Sequence, residues 1–265
     1  MRLQHIISTM NRADFSFLEN LGLKSDVLVV NQNCPENEEE LTLQQGIRVK
    51  AISTPEKGLS RSRNMLINNA DGDILIVGDD DVEYLEGYQD VIKAAYSKYA
   101  DADIIIFRFT HEKGKETRAR FTQDVKVTMQ NVSKFASVEI TLKRESILKS
   151  GVAFNNKIGL GTQFPSGEEN AFLADAIRAG LKVYHVPVTI CVAEEAVKIN
   201  DSYDVTKYLE DKGASFYCIY KSAFPLYALA FIVLKKKSHF KNISVFKGFS
   251  LMCKGKKKYK KQIKE

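Results

Sequence analysis

The chain has 265 residues, 44% hydrophobic and 27% charged, which indicates one large globular domain or one domain with an appendage. There is no charged–apolar–small leader at the N-terminus, and the four scattered cysteines have no CxxC or metal-ligand spacing. We therefore expect no secretory signal, no cysteine-bound metal and reduced thiols in the cytoplasm. The net charge of +6 is unevenly distributed, because residues 235–265 contain twelve lysines and one acid while the rest is mildly acidic.

Apolar runs alternate with helical segments along the chain. Strands are predicted at residues 3–7, 26–30, 47–52, 73–77, 103–107, 138–142 and 182–186, and helices at residues 60–69, 86–99, 168–179 and 200–213. Near-continuous apolar strands that alternate with helices favour a mostly parallel sheet with helices on both faces. In such sheets a ligand lies beyond the carboxyl ends of the strands, where polar residues follow several of the strands predicted here.

Three adjacent carboxylates, the aspartate triplet Asp79, Asp80 and Asp81, follow the strand predicted at residues 73–77. They repel one another, and a hard divalent cation such as Mn²⁺ or Mg²⁺, which binds oxygen ligands, would compensate this repulsion. Such a cation would also neutralise the charge that grows on a departing nucleoside diphosphate. The alternatives are a solvated loop or a helix cap, because acidic residues are common in the first turns of helices.

Four short segments carry a resemblance to a known family, and they occur in this order: residues 6–12, 27–33, 57–64 and 74–81. They resemble the family 2 glycosyltransferases of the GT-A fold, of the bacterial surface-polysaccharide type. The family's Pro-Thr-Tyr-Asn-Arg sequence corresponds to residues 8–12, its Gly-x-x-x-x-Arg-Asn segment to residues 58–64, and its DxD motif to the aspartate triplet. The resemblance covers roughly residues 3–215 and implies an α/β fold, with a GT-A-like, mostly parallel central sheet flanked by helices.

The resemblance implies a donor site in which six side chains surround the nucleotide: Thr9, Asn11, Arg12, Asn31, Asn33 and Arg63. The two asparagines of the second strand stand where the family often has acidic residues that contact the base or ribose. Arg63 would face the diphosphate, and Asp79, Asp80 and Asp81 would anchor it. The alternative for Arg63 is an exposed helix arginine that pairs with an aspartate of residues 71–73.

A pair of acids, Glu168 and Glu169, opens a predicted helix after Ser166 and Gly167. One interpretation is structural, because a serine with a glutamate three residues later fits a capping box. The resemblance implies a second interpretation, since the family has a Gly-Glu-Asp motif here whose second acid deprotonates the acceptor hydroxyl in inverting transfer. By this match Glu169 is the catalytic base and Glu168 is the reserve candidate.

Many relatives have a metal-ligating histidine about six residues after the proline that follows this helix. Counting from Pro187, that position is Ala193, so the resemblance implies that either Glu194 replaces the histidine or the aspartate triplet holds the metal alone. The metal ligands implied are then Asp81, Asp79 and Glu194. Three histidines are poor substitutes, because they lie in a charged loop, in a strand and in the lysine-rich tail: His111, His185 and His239.

Residues 222–234 are uncharged and partly aromatic, and lysines follow them directly. A spanning helix needs roughly 20 residues, so this segment is too short to cross a membrane. An interfacial segment with lysines is typical of attachment to an anionic membrane surface. The alternatives are a core helix, a disordered tail or nucleic-acid binding. The tail lacks arginine and has Tyr259 as its only late aromatic residue, so we expect no nucleic-acid partner.

We therefore expect a GT-A-like catalytic domain at residues 1–213 and a helical, membrane-peripheral segment at residues 214–265, on the inner face of the cell membrane. The expected reaction is transfer of a sugar from a nucleotide donor, UDP-linked, to a hydroxyl of a glycan or lipid-linked acceptor. Metal dependence and inversion follow from the resemblance. The rival interpretations are a sugar nucleotidyltransferase, which usually has a glycine-rich loop that residues 8–12 lack, and a non-enzymatic module that binds membranes or nucleic acid through its lysines.

Overall fold

The computed structural model describes residues 1–113, 121–193 and 204–264. The elements in chain order are β1 (Leu3–Met10), β2 (Val27–Gln32), β3 (Asn37–Thr42), β4 (Arg48–Thr54), α1 (Leu59–Asn69), β5 (Ile74–Asp79), β6 (Val82–Tyr84), α2 (Tyr88–Lys98), β7 (Ile104–Thr110), β8 (Val125–Lys126), β9 (Ile140–Lys143), α3 (Arg144–Ser150), α4 (Glu168–Arg178), β10 (Val183–Ala193), α5 (Val205–Tyr220), α6 (Phe224–His239) and α7 (Val245–Gln262).

The strands form one sheet in the order β3-β4-β2-β1-β5-β9-β7-β10-β6, and β8 pairs with β10. Strands β4, β2, β1 and β5 run parallel to one another, as do β7 and β10. Strand β9 lies antiparallel between β5 and β7. The predicted mostly parallel α/β sheet is therefore confirmed, with one inserted strand that reverses direction.

The central strands are buried on both faces. Ile6 belongs to one hydrophobic cluster and Ile7 to another on the opposite face, and β5 alternates in the same way at Leu75 and Ile76. Successive side chains of a strand point to opposite faces, so helices cover the sheet on both sides. This double burial explains why these strands have continuous apolar sequences.

The sequence patterns miss three strands, one of which is the two-residue strand β8, paired antiparallel with β10. Strand β3 is an acidic run whose side chains are mostly exposed, and it pairs antiparallel with β4 at the edge of the sheet. Strand β6 has only three residues and pairs antiparallel with the end of β10. Carboxylates on an edge strand discourage further strand pairing, and this explains why β3 has no apolar pattern.

Helices α5 and α6 are separated by a break at Lys221, whose backbone has φ 46° and ψ −114°. By length and composition alone, residues 205–236 hold the one candidate membrane span in the part of the chain that the structure describes, and 33% of its apolar window is buried. The apolar stretch is thus longer than the predicted segment of residues 222–234. However, α5 packs much of its apolar surface into the core, for example with Leu209 and Ile219, as helices of soluble proteins also do.

The lysine-rich end forms helix α7, so the disordered-tail interpretation is wrong for residues 245–262. Helix α7 packs against α5 with Met252 and Tyr259 buried. Glycines permit a close approach of the two backbones, because a Cβ atom at Gly255 would overlap the carbonyl oxygen of Glu210. The proposed domain boundary between residues 213 and 214 falls within α5 and stays a prediction.

We expect Gly255→Ala to lower the free energy of unfolding by about 1–3 kcal/mol or more, because overpacking forces the two helices apart. Urea unfolding followed by circular dichroism measures this change. Lys257→Ala is the matched control, since Lys257 is exposed on the same helix, and we expect a change within about 0.5 kcal/mol. Equal unfolding midpoints for the glycine variant and the wild type would contradict the close packing of α7 on α5.

Candidate active site

A cavity of about 340 Å³ lies at the carboxyl ends of β1, β2 and β5. Its wall combines the aspartate triplet with residues from the strand ends, the start of α1 and the loop before α4: Ser8, Thr9, Met10, Gln32, Leu59, Leu160 and Gly161. A second cavity, of about 360 Å³, lies at the amino ends of the strands beside the ion pair of Arg48 and Asp26. Because the polar strand ends meet at the first cavity, we take it as the candidate active site.

The end of β1 is held by a hydrogen-bond network around Asp80. The Thr9 hydroxyl donates to Asp80 Oδ2 at 2.5 Å, and the Arg12 guanidinium donates to the same oxygen at 2.8 Å. The Asn31 side chain in turn accepts from the backbone N–H of Arg12 at 3.1 Å and donates to its carbonyl oxygen at 2.9 Å. The structure therefore brings four of the predicted donor-site residues into one network.

Two further predicted residues, Asn11 and Asn33, have left-handed backbone conformations with φ 57° and 59°. Asparagine tolerates this conformation better than most residues. Both side chains are exposed, and the Asn33 amide donates to Asn11 Oδ1 at 2.5 Å. The turns after β1 and β2 thus place the two side chains together, and their contact with a base or ribose stays a prediction.

Arg63 is buried, with 1% of its surface exposed, and bridges the two acidic motifs. Its guanidinium donates to Asp79 Oδ1 at 2.9 Å and to Glu168 Oε1 at 3.0 Å. Burial alone would lower the pKa of Arg63, but the two carboxylates outweigh it and the pKa is raised.

The alternative of an exposed Arg63 paired near residues 71–73 is therefore wrong. Arg2 pairs with Asp71, and its backbone N–H donates to Asp73. Direct contact of Arg63 with a diphosphate stays a prediction, and in this structure Arg63 reaches the candidate site through Asp79.

Helix α4 begins at Glu168, and its N-cap is Gly167 in a left-handed conformation with φ 93°. No side chain caps this helix, so the predicted capping box with Ser166 is wrong. A Cβ atom at Gly167 would lie 2.9 Å from Ser215 of α5, so the turn is fixed by close packing as well as by its conformation. The structural explanation for Glu169 is thereby removed.

The two acids of the pair have different surroundings. Glu168 is buried and paired with Arg63, whereas Glu169 is half-buried and accepts a hydrogen bond from the Asn170 amide. Burial and the neighbouring charge of Glu168 raise the pKa of Glu169 to about 7, against the opposing influence of Arg63 and Lys212. A carboxylate with this pKa can accept a proton near neutral pH.

The sequence patterns missed Lys212, which lies on α5 close to the acid pair. Burial lowers its pKa, while the nearby carboxylates of Glu169, Glu168 and Asp211 favour its charged form. Lys212 sits in a polar segment that matches no motif, and only the packing of α5 on α4 brings it to the site. No sequence pattern therefore indicates that this cation lies near the acid pair.

The region where relatives carry a metal-binding histidine lies beside the aspartate triplet. Ala193, at the end of β10, pairs with Val82, which directly follows Asp81. Glu194 itself lies outside the described residues, so its role as a ligand stays a prediction. His111, dismissed on sequence grounds, has its Nδ1 atom 3.1 Å from the carbonyl oxygen of Ala193.

The oxygen-rich triplet suits a hard divalent cation. Asp79 and Asp80 each pair with an arginine. The Asp81 side chain is exposed and lines the cavity. Within residues 1–113, 121–193 and 204–264, no group of three or more histidine, cysteine, aspartate or glutamate side chains is arranged to hold a metal. Mg²⁺ and Mn²⁺ commonly use one or two carboxylates and complete their shells with phosphate and water, so the residues present fit such a site.

The mostly parallel sheet, its flanking helices and a cavity at the carboxyl ends of the strands define a fold of the GT-A type. The family model described as glycosyl transferase family 2 matches residues 9–158, more than half of the chain. The chain therefore belongs to the family 2 glycosyltransferases. This assignment contradicts both rival interpretations, the sugar nucleotidyltransferase and the non-enzymatic binding module.

Solved structures of S. aureus TarS are similar in fold. One TarS chain has a TM-score of 0.60 and 13% identity, and the match covers 91% of this chain and 45% of that one. TarS 1–349 in complex with UDP-GlcNAc has a TM-score of 0.61 and 13% identity, with 91% and 74% covered. This chain thus spans less than half the length of the first TarS chain. No curated protein matches the sequence.

Proposed function

We propose that this enzyme transfers a sugar from a nucleoside diphosphate sugar, UDP-linked, to a hydroxyl of a glycan or lipid-linked acceptor, with inversion at the anomeric carbon. The observation that carries the proposal is the Arg63 bridge, because one buried guanidinium joins Asp79 of the donor side to Glu168 of the acceptor side. The donor anchor is thereby joined to Glu168, the residue that directly precedes the proposed base Glu169. The fold likeness to TarS bound to UDP-GlcNAc supports a UDP-linked donor.

The donor would bind at the carboxyl ends of β1, β2 and β5. Thr9, Arg12 and Asn31 already hold one another and Asp80 in place, so little ordering is needed when the nucleotide arrives. Asn11 and Asn33 would offer exposed amides to the base or ribose.

A divalent cation, Mn²⁺ or Mg²⁺, would be held by Asp81 and Asp79, with Glu194 as a further ligand. When bound, such an ion neutralises the negative charge that develops on the leaving diphosphate. Asp80, held by Thr9 and Arg12, would keep the triplet oriented towards the cavity.

Glu169 would act as the general base. Its carboxylate takes the proton of the acceptor hydroxyl, the hydroxyl oxygen bonds to the anomeric carbon, and the electron pair of the breaking bond leaves with the diphosphate. A single displacement of this kind inverts the anomeric carbon. Glu169 is favoured over Glu168 because the carboxylate of Glu168 is already paired with Arg63.

Metal dependence and donor identity are tested together by measuring hydrolysis of, and transfer from, UDP-, GDP- and TDP-sugars with Mn²⁺ or with EDTA. We expect the UDP-sugar to turn over fastest, and both EDTA and Asp81→Asn to lower its turnover by roughly tenfold or more. Mn²⁺ binding, followed by electron paramagnetic resonance, should weaken in Asp81→Asn. Asp90→Asn, an exposed aspartate on α2, is the control. Full turnover in EDTA, or in the Asp81 variant, would contradict the metal proposal.

We also place the enzyme in the cytoplasm, on the inner face of the cell membrane, with residues 1–213 as the catalytic domain and residues 214–265 as the membrane-peripheral part. The support is the lysine-rich composition of the C-terminal helices. This location would bring the enzyme next to a lipid-linked acceptor.

A further inference from the structure

Helix α6 is apolar on both of its sides. Its inner side is buried, as at Phe224, Ala228 and Ile232. Its outer side exposes a continuous line of apolar residues, the outer ridge: Leu226, Leu229, Ala230, Val233 and Leu234. Leu226 is 70% exposed and Leu234 is 79% exposed. A helix that is hydrophobic all round usually belongs inside a core or against a membrane, so the outer ridge requires a partner.

The outer ridge is fixed in its orientation by the packing of the opposite side. The ring of Tyr227 stacks on Tyr220 of α5, with 3.7 Å between the ring centroids. A Cβ atom at Gly248 of α7 would lie 3.0 Å from Ile232, so α6 and α7 are in close contact. Rotating α6 to hide the outer ridge would break both contacts.

The surroundings of the outer ridge are cationic. Residues 212–264 contain no aspartate or glutamate, and lysines stand before and after the helix. Lys221, Lys241 and Lys247 are exposed, and Phe246, next to Lys247, is 84% exposed. An apolar ridge flanked by lysines is complementary to a lipid bilayer, which has an apolar interior and can have anionic headgroups.

We propose that the outer ridge of α6 docks on the surface of a bilayer that contains anionic phospholipids, with the lysines beside it contacting the headgroups. This inference rests on the membrane location in the proposed function and adds the surface that makes the contact. The break at Lys221 and the burial of α5 favour a helix that lies in the interface over one that crosses it. An aliphatic ridge offers no stacking platform for nucleic-acid bases.

Vesicle co-sedimentation of the full chain tests the outer ridge. We expect the wild type to bind vesicles of phosphatidylglycerol and phosphatidylcholine. The triple variant Leu226→Ser/Val233→Ser/Leu234→Ser should bind them at least roughly tenfold more weakly. The control Leu148→Ser/Val188→Ser replaces two apolar side chains, each 41% exposed, elsewhere on the surface. It should bind like the wild type, and thermal unfolding confirms that all variants fold.

The lysines are tested with Lys241→Gln/Lys247→Gln. Each lost lysine is expected to weaken binding to the anionic vesicles by roughly fivefold, and added salt should weaken wild-type binding. Lys93→Gln/Lys126→Gln, on exposed positions of α2 and β8, should leave the binding unchanged.

The proposal is overturned if the wild type binds no vesicles, or if the triple variant binds them as well as the wild type. It is also overturned if analytical ultracentrifugation without lipid finds a dimer that the triple variant loses, because a second copy would then cover the outer ridge. Hydrolysis of the UDP-sugar in solution is measured in parallel. Lost vesicle binding with intact hydrolysis supports the docking surface, whereas intact binding without hydrolysis contradicts the proposed function alone.

Discussion

Replacing Glu169 with glutamine is expected to lower the rate of sugar transfer by roughly a hundredfold or more, because a positioned general base contributes about 10²–10⁴ to a rate. Glutamine keeps the size of the side chain and its acceptor oxygen but cannot take a proton. Donor binding should be nearly unchanged, because the proposed donor-site residues lie on β1, β2, β5, the turns that follow them and α1, and not on α4. Transfer kinetics and titration with the UDP-sugar measure the two quantities separately.

The pH dependence follows from the raised pKa of Glu169, about 7. A base must be deprotonated, so the transfer rate of the wild type should rise with pH through about 7. Burial is the main cause of the raised pKa, the charge of Glu168 adds to it, and the charges of Arg63 and Lys212 oppose it. The glutamine variant should lack this rise.

The free energy of unfolding should also depend on the protonation of Glu169, but it should fall as the pH rises. A carboxyl whose pKa is higher in the folded protein than its ordinary 4.5 stabilises the fold while it is protonated. This contribution is present in full below pH 4.5 and is lost as the pH rises through about 7. Urea unfolding at several pH values should therefore show a loss of stability over this window that Glu169→Gln removes.

Two controls distinguish the base from its neighbours. Glu145→Gln, on the exposed side of α3, should leave the rate unchanged. Glu168→Gln should weaken the fold through its lost pairing with Arg63 yet retain the rise of rate with pH. If the rise disappeared in the Glu168 variant and persisted in the Glu169 variant, the assignment of the base would be reversed.

Sequence patterns predicted the central strands and helices α1, α2 and α4 well, because local periodicity reflects burial on one or both faces. They could not predict that β9 enters the sheet antiparallel, since no local signal fixes which strand is its neighbour. The acidic edge strand β3 was missed for a related reason, because an exposed strand needs no apolar residues.

Some residues of the candidate active site could likewise be predicted from the sequence, and others could not. The aspartate triplet stands out by its three adjacent charges, whereas Glu169 was proposed because the family resemblance implies a catalytic acid at its position. The family resemblance placed Arg63 at the diphosphate, with an exposed surface arginine as the alternative. Its contact with Glu168, which lies far along the sequence, is visible only in the folded chain. Lys212 depends in the same manner on the packing of α5. Charged residues that interact across long sequence distances have no characteristic spacing that a sequence pattern could reveal.

Arg63→Met is expected to lower the free energy of unfolding by about 3–5 kcal/mol, because it removes a buried cation and leaves the carboxylate of Glu168 buried without its partner. The matched control is Arg61→Met on the same helix, whose guanidinium is exposed and lies 3.8 Å from Glu56. An exposed pair contributes about 0–1 kcal/mol, so this variant should unfold almost like the wild type.

A double variant tests whether the bridge itself causes the loss. Arg63→Met/Glu168→Gln removes the unpaired charge, so it should recover part of the stability that Arg63→Met loses. Arg63→Lys keeps the charge but lacks the planar fork that reaches Asp79 and Glu168 together, and it should fall between the wild type and the methionine variant. Strictly additive effects of the two single changes would contradict a direct coupling between Arg63 and Glu168.

The bridge should also affect catalysis in a way that a purely structural arginine would not. If Arg63 holds Asp79 towards the donor and Glu168 beside the base, Arg63→Lys should lower the transfer rate and also move its pH dependence. Arg63 lowers the pKa of Glu169 by its charge, and a lysine at a different distance changes that influence. A lower rate with an unchanged pH profile would restrict Arg63 to a structural role. A shifted profile would show that the charge of Arg63, which pairs with Asp79 of the aspartate triplet, also influences the pKa of the catalytic base.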